Sequence, residues 1–244
     1  MSLKSIIKNS IIKISLFFLK SRKSRCIFYH DIHSEVRFTD MSSSVELFKD
    51  HVQTIRNSGF EIVDVITKKY NQISISFDDG WRGVYENIEL INRLKVPITL
   101  FIVPSFLDKD NYLSEKELVS ISKNPYIKIQ SHTLNHFDLT SLSNDILKEE
   151  LTCSKNRLES LCGVLVDSVC YPKGLFNSKI VDFANNIGYR YQYSSLPGSY
   201  FKEIYPTVKR RNLVQYLSSK QLEYTLRGGG SIFYFWYKLK HIKK

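Results

Sequence analysis

The chain alternates short apolar runs with longer segments in which apolar positions recur every three or four residues. Short runs of this kind are typical of buried strands, and the longer segments are typical of helices with one apolar face. The runs predict strands at residues 26–32, 61–65, 73–77, 98–103, 127–130, 165–171 and 189–194, with a weaker one at 208–214. The segments between them predict helices at residues 45–58, 84–94, 115–122, 144–161 and 179–187. This alternation predicts an α/β fold with parallel strands and crossover helices.

The 244 residues are enough for one such domain, which we place at residues 26–230 between two basic ends. Residues 1–25 combine helical apolar spacing with lysines and arginines, and residues 231–244 are aromatic and then basic. Each end fits either an amphipathic segment on a membrane or a helix packed onto the domain. Lysines interrupt the first apolar run, so it lacks the unbroken core of a secretory signal. We therefore predict a cytoplasmic protein, peripheral at the inner face of the cell membrane.

The formal net charge of +11 would suit nucleic acid, an anionic membrane or an acidic substrate. The basic residues cluster at the two ends among apolar ones, and no nucleic-acid-binding motif is present. A membrane surface explains this distribution better than nucleic acid does, because a polybasic amphipathic segment adheres to anionic lipid. No nucleic-acid partner is predicted.

Two groups of polar side chains each follow a predicted strand. Asp78 and Asp79 are adjacent carboxylates that follow the strand predicted at 73–77. The sequence Asp-Asp-Gly alone could be an ordinary turn. Two histidines, His132 and His136, follow a later strand, and their spacing places both imidazoles on one face of a helical turn. Barrel enzymes carry their active sites at the carboxyl ends of the strands, so all four side chains are expected in one pocket.

Two imidazoles and one carboxylate can bind a divalent ion, with Zn²⁺ the favoured candidate, and leave positions open for water and substrate. Such an ion lowers the pKa of water from ~15.7 toward ~7 and polarises an acyl carbonyl. A second carboxylate, not bound to the metal, can take the proton from that water. The pattern predicts metal-dependent hydrolysis.

The order of these motifs resembles that of carbohydrate esterase family 4, the polysaccharide deacetylases related to the rhizobial chitooligosaccharide deacetylase. The similarity covers residues 26–214 and rests on the segments YHDI, SFDDG, SHTLNH and CYPKG. It implies a distorted, incomplete (β/α) barrel of about seven parallel strands. It also implies that Asp78 is the catalytic base and that the metal ligands are Asp79, His132 and His136.

The chain departs from the family pattern at two places. In many members the segment that corresponds to CYPKG carries an arginine that orients the catalytic aspartate. Cys170 stands at that position here. Arg210 or Arg211 could reach the site in its place. Many members also carry a late Leu-x-His block whose histidine protonates the leaving group, and this chain has none. His30 is the candidate for that acid, although it could equally satisfy a buried polar neighbour. The candidates for contacting the substrate or the oxyanion are Tyr171, Pro172 and Arg211.

The predicted activity is hydrolysis of an acyl group, most simply N-acetyl, from a sugar of a cell-envelope polysaccharide or of its lipid-linked precursor. The predicted partner is therefore a carbohydrate. Two alternatives stay open, a catalytically inactive relative that only binds carbohydrate and a deformylase of lipid-linked aminosugars. The missing arginine and histidine favour an inactive relative, whereas the intact carboxylates and metal-type histidines favour an enzyme.

Overall fold

The fold is built from parallel strands joined by helices, and a computed structural model describes it for residues 21–202 and 205–229. The strands of this part are β1 (Arg25–Tyr29), β2 (Asp31–His33), β3 (Ser42–Ser44), β4 (Glu61–Ile62), β5 (Gln72–Asp79), β6 (Ile98–Ile102), β7 (Ile127–Ser131), β8 (Ser168–Cys170), β9 (Tyr191–Tyr193), β10 (Val208–Lys209) and β11 (Arg211–Leu213). The α-helices are α1 (Val45–Asn57), α2 (Gly83–Glu86), α3 (Ile88–Leu94), α4 (Glu115–Ile121), α5 (Asn144–Cys162), α6 (Ser178–Ile187) and α7 (Ser219–Leu226).

The main sheet runs in the order β10-β9-β8-β7-β6-β5-β1-β11, with β4 beside β5. Strands β10 and β11 are separated in the chain only by Arg210, yet they pair with β9 and β1 at opposite ends of this order. One segment therefore borders both edges of the sheet, and the ring of strands is broken at Arg210. Counted with β10 and β11 as one position, the ring has the seven parallel strands predicted for an incomplete barrel.

Side chains of β5 alternate between the two sides of the sheet. Ile75 and Phe77 belong to the core that the sheet forms with the helices. Ser76 and Asp78 point the other way, where both contact the buried side chain of Arg211 on β11. Because successive strand residues face opposite sides, a single strand supplies both the apolar core and the polar interior at the rim.

The sequence predictions differ from the structure at several elements. The helix predicted at 84–94 is broken into α2 and α3, because Asn87 between them has a non-helical φ of −112°. The strand predicted at 165–171 is shortened to β8, because side chains of α5 bind the backbone of Val166 instead of a neighbouring strand. The apolar pattern does not predict α7.

The two predicted end segments lie mostly outside the described residues. Residues 231–244 lie wholly outside them, and of the segment 1–25 only the last five residues are described. Within those five, Arg22 donates to the Gly59 carbonyl at 2.8 Å and Arg25 donates to the Leu226 carbonyl at 3.0 Å. These arginines therefore belong to the domain. In the described ranges no helix is long and apolar enough to cross a membrane.

Candidate active site

Three side chains converge at the carboxyl ends of β5 and β7. Asp79 is the last residue of β5, and His132 and His136 follow β7. The Oδ1 atom of Asp79 lies 3.4 Å from Nε2 of His132 and 3.6 Å from Nε2 of His136. One ligand atom from each residue lies within 4.8 Å of the others. The structure thus brings the three predicted metal ligands together.

The geometry of this cluster fits a divalent ion. Two atoms bound at ~2.0–2.1 Å to one tetrahedral ion are themselves ~3.3–3.5 Å apart, close to the carboxylate–imidazole distances here. Oδ1 of Asp79 is buried, and no described residue forms a hydrogen bond with it. Burial, and then the charge of His132, lowers the pKa of His136 to about 4. That imidazole is therefore neutral at pH 7, as a metal ligand must be.

The segment that carries the two histidines is not the helical turn predicted from their spacing. Thr133 and His136 have left-handed φ values of +66° and +60°. The loop is held from α5 by the buried carboxylate of Glu150, which accepts from the amides of Leu134 and Asn135 at 3.1 and 2.9 Å. The helical prediction is wrong because these contacts, made by a residue 15 and 16 positions further along the chain, outweigh the local preference.

Asp78 and Asp79 share one pocket although they are adjacent in a strand. His132 lies within 4.8 Å of both carboxylates, whereas neighbouring residues of a regular strand would face opposite sides. Asp79 has a φ of +75°, which is costly for a residue other than glycine and is typical of functional sites. This left-handed residue turns the chain at the end of β5 and brings the second carboxylate to the same rim.

Two hydrogen bonds orient the side chains of two predicted metal ligands. The indole Nε1–H of Trp81 donates to Oδ2 of Asp79 at 3.2 Å, so Oδ1 is the oxygen left for the histidines. Nδ1 of His132 donates to the Cys170 carbonyl at 2.8 Å, which keeps its Nε2 free. Partners of this kind fix ligand orientation, and their loss typically costs about 10–100-fold in metal affinity.

Replacing Trp81 with phenylalanine is expected to lower zinc affinity by about tenfold or more. The phenyl ring preserves much of the stacking on Tyr112, whose ring centroid lies 4.1 Å away, but it has no N–H to hold Asp79. Competition with a chromophoric chelator measures the affinity. Tyr112→Phe is the matched control, because it keeps both the stack and the indole N–H. Equal zinc affinities of Trp81→Phe and wild type would show that this hydrogen bond does not orient the ligand.

Asp78 is paired with a buried arginine. Nη1 and Nη2 of Arg211 lie 2.6 and 2.7 Å from Oδ1 and Oδ2 of Asp78, and both side chains are buried. Burial alone would raise the pKa of Asp78, but the charge and hydrogen bonds of Arg211 outweigh it and lower the pKa to about 2. Asp78 is therefore ionised at neutral pH. A second possible metal cluster consists of Asp78, His132 and Cys170. It is disfavoured because both carboxylate oxygens of Asp78 already accept hydrogen bonds from Arg211.

Arg211 reaches Asp78 from β11, next to the place where Cys170 stands instead of the family's arginine. Its Nη2 lies 2.7 Å from the Cys170 sulfur. The strand pairing decides between the two arginines of the sequence, since Arg211 lies opposite Cys26 and faces the interior while Arg210 lies in the break of the ring. Arg211 is thus the arginine that reaches the site in place of the missing one, and its contact with a substrate stays a prediction.

His30 lies at the same rim, directly after β1. It is close enough to Asp78 for its charge to contribute to the lowered pKa of that carboxylate. It is only partly buried, and its Nδ1 lies 2.7 Å from Oε1 of Gln215. The structure thus places the predicted acid at the same rim as the predicted base. A purely structural role fits His51 instead, because both of its ring nitrogens are bound inside the fold.

The CYPKG segment begins at the last residue of β8, and its Tyr171 is bound to β9. The N–H of Tyr171 donates to the Tyr193 carbonyl at 2.9 Å, and its buried hydroxyl donates to Gln192. Neither group is available to a substrate, so the predicted oxyanion role of Tyr171 is corrected to a structural one. Pro172 is also buried and has no N–H. The next residue, Lys173, has a left-handed φ of +57°, and no described residue accepts from its amide.

A groove of about 530 Å³ lies near the site, although none of the side chains of Asp78, Asp79, His132 and His136 lines it. Tyr112 lines it and connects it to the cluster, since the tyrosine ring stacks on Trp81 and lies 4.8 Å from the ring of Phe106. Phe106 in turn lies 6.0 Å from the ring of His136. Phe38 contributes another aromatic surface. The polar side chains of the lining include Asp108, Asp110, Asn111 and Ser114.

Four residues of the site were beyond the sequence prediction. Trp81 directly follows the Asp-Asp-Gly motif, and its indole beside two carboxylates was the available signal. Glu150 and Gln215 carry no local signal, because each acts on a partner distant in sequence. Lys173 lies in the CYPKG segment, but that segment does not indicate its left-handed backbone.

Comparisons with known proteins place the chain in one family. The sequence model of that family, described as polysaccharide deacetylase, matches residues 66–192. The Bacillus subtilis protein YxkH is 22% identical over 191 residues, which cover 74% of this chain and 67% of that protein.

Two solved structures share the fold. The Streptococcus pyogenes deacetylase PplD, solved in complex with acetate, has a TM-score of 0.73 at 19% identity and covers 84% of this chain and 98% of its own. BC0361, a polysaccharide deacetylase from Bacillus cereus, has a TM-score of 0.72 at 23% identity, covering 84% and 69%. Because the family's sequence model spans more than half of the chain and includes both carboxylates and both histidines of the site, the chain belongs to the polysaccharide deacetylase family of hydrolases.

Proposed function

We propose that the protein is a metal-dependent hydrolase that removes an N-acyl group, most simply acetyl, from an aminosugar of a glycan. One observation carries the proposal: the cluster of Asp79, His132 and His136 lies beside a separate carboxylate, Asp78, that is held ionised by Arg211. The two carboxylates thus have different environments, one directed at the histidines and one paired with a guanidinium. This division fits a metal ligand and a general base.

The metal is best held by Asp79, His132 and His136, whose donor set suits Zn²⁺. A divalent ion there would polarise the acyl carbonyl and make the attacking water more acidic, which a weak base such as Asp78 requires. Asp78 accepts a proton from that water, and the bidentate contact with Arg211 keeps its carboxylate in a single orientation.

The remaining two tasks fall to two other groups near these residues. The unpaired amide of Lys173 is the donor that we assign to the oxyanion, in place of the amide of Tyr171. Lys173 is near enough for its charge to affect His136. His30, at the same rim as Asp78, is the group that we assign to protonate the leaving amine as the C–N bond breaks.

The groove near the site supports a glycan chain as the substrate. Its volume of about 530 Å³ falls in the usual range of ligand sites, and its aromatic rings and polar side chains suit sugar faces and hydroxyls. The acetate complex of PplD supports acetyl as the acyl group. Attachment to the inner face of the membrane and a lipid-linked substrate remain predictions from the sequence of the two ends.

Acid release by the zinc-loaded full chain tests the proposal. We expect acetate from N-acetylated oligosaccharides, with a kcat/KM at least about tenfold higher for a tetrasaccharide than for a monosaccharide, a gain of about 1.4 kcal/mol from groove contacts. Chelation of the metal should abolish release. The panel includes N-formylated and lipid-linked aminosugars in anionic vesicles, and flotation of the same vesicles reports membrane binding.

The other outcomes identify the alternatives. Formate release from an N-formylated sugar, without acetate, would identify a deformylase. Saturable binding of sugars with no acid released from any substrate would contradict the proposal and identify a carbohydrate-binding relative. Protein that stays unbound in the flotation would contradict the membrane prediction alone.

A further inference from the structure

His30 and Gln215 face each other just beyond the end of the pairing between β1 and β11. The last pair of that ladder is Phe28 with Leu213, and His30 and Gln215 each lie two residues further along. Residues two apart in a strand share a side of the sheet. Although 185 positions separate them in the sequence, Nδ1 of His30 lies 2.7 Å from Oε1 of Gln215.

Gln215 is a fixed partner rather than a mobile surface side chain. It is 2% exposed, and its own carbonyl accepts from the hydroxyl of Ser43 at 2.7 Å. The amide of Val214, just before it, donates to the Phe28 carbonyl at 3.2 Å. These contacts anchor the backbone on both sides of the site, so Oε1 is presented to His30 from a defined position.

An amide oxygen only accepts hydrogen bonds, so Nδ1 of His30 must be the donor in this contact. We propose that Gln215 is a positioning residue that holds neutral His30 as the Nδ1–H tautomer and leaves Nε2 to exchange protons with the substrate. No described residue pairs with Nε2. The role in catalysis rests on the proposed function, whereas the tautomer does not.

Because the partner of Nδ1 is a neutral carboxamide, it affects how readily Nε2 of His30 gives up a proton. The carboxamide accepts from Nδ1–H in both the protonated and the neutral ring, so the ring does not have to turn when Nε2 gives up its proton. A carboxylate at the same place would stabilise the positively charged ring and oppose that proton transfer. Gln215 therefore orients the acid without adding a charge that retains its proton.

Nitrogen NMR of the full chain labelled with ¹⁵N-histidine tests the tautomer, and the His30→Gln variant assigns its signals among the six histidines. In wild type at a pH where the ring is neutral, we expect a protonated Nδ1 and an unprotonated Nε2. Gln215→Leu removes the acceptor and is expected to shift the population toward Nε2–H, the form favoured by free histidine. Gln215→Glu keeps an acceptor and should keep the Nδ1–H form.

Kinetics provide the second readout. Gln215→Leu is expected to lower kcat by about tenfold, as loss of an orienting partner commonly does, with KM within about twofold of wild type. Nε2–H as the main form in wild type would overturn the inference, and this result needs no variant to fold. An unchanged tautomer and unchanged kcat in Gln215→Leu would also overturn it. If no substrate is hydrolysed but the wild-type tautomer is Nδ1–H, the proposed function fails and the positioning of His30 by Gln215 stands.

Discussion

The Asp78→Asn variant is expected to release acyl groups at least about a hundredfold more slowly than wild type while binding one zinc ion as wild type does. An amide of the same shape cannot accept the proton that we propose Asp78 takes from water, and loss of a general base typically costs about 10²–10⁴ in rate. Zinc binding should persist because Asp78 is bound by Arg211 rather than directed at the histidines. Acid release and zinc content are measured on the same preparation.

Asp79→Asn is the matched comparison for this prediction. It is the adjacent residue and the same chemical change, but Asp79 supplies the oxygen that lies 3.4 and 3.6 Å from the two imidazoles. We expect it to lose zinc as well as activity. Loss of zinc in Asp78→Asn, or activity above about a tenth of wild type, would show that the roles of the two carboxylates are assigned wrongly. Circular dichroism of both variants checks that the fold is retained.

The alternating pattern of the sequence was sufficient for most of the fold, because apolar runs report burial directly. It identified the strand that leads into Asp78 and Asp79 and the one that precedes His132. It could not specify how the residues after a strand turn. Asp79 and His136 are both left-handed in the structure, and the spacing of the histidines instead indicated a helical turn that does not form.

Pairing across the sheet accounts for what the sequence left open. The sequence alone does not distinguish the role of Arg210 from that of Arg211. The strand register, which places Arg211 opposite Cys26, shows which guanidinium faces the interior. The same holds for Tyr171, whose N–H and hydroxyl are both taken up by residues of β9. Contacts of this kind depend on strand order and not on local composition.

The Arg211→Met variant is expected to be less stable than wild type by about 3–5 kcal/mol at pH 7, the usual cost of leaving one member of a buried ion pair without its partner. Asp78 is buried, so without the guanidinium its pKa should rise above its ordinary value, since burial is no longer offset. In wild type the lowered pKa of about 2 contributes stability that is present at neutral pH and lost as pH falls from 3.8 toward 2.

Lowering the pH affects the stability of Arg211→Met in the opposite direction. Its raised pKa lets Asp78 take up a proton on folding, so the variant regains stability relative to wild type as the pH falls from 7 through that pKa. Chemical denaturation of the metal-free proteins at pH 7 and pH 5 should show the difference in unfolding free energy becoming smaller at pH 5. The double variant Arg211→Met/Asp78→Asn removes the unpaired charge and should recover most of the stability, though not the activity. A single variant as stable as wild type at pH 7 would contradict the ion pair.

Moving the arginine to another strand tests its role more strictly than removing it does. Activity is then measured together with stability. The Cys170 sulfur lies 2.7 Å from Nη2 of Arg211 and 3.8 Å from Oδ2 of Asp78, so an arginine at position 170 starts next to the same carboxylate. Arg211→Met alone is expected to lose most activity, since Asp78 becomes protonated or turns away. Adding Cys170→Arg should restore a measurable part of both activity and stability if the guanidinium acts by holding Asp78. Recovery of stability without activity would mean that the position of Arg211 on β11 matters beyond the ion pair, and recovery of neither would place its main contribution in the packing of the barrel interior.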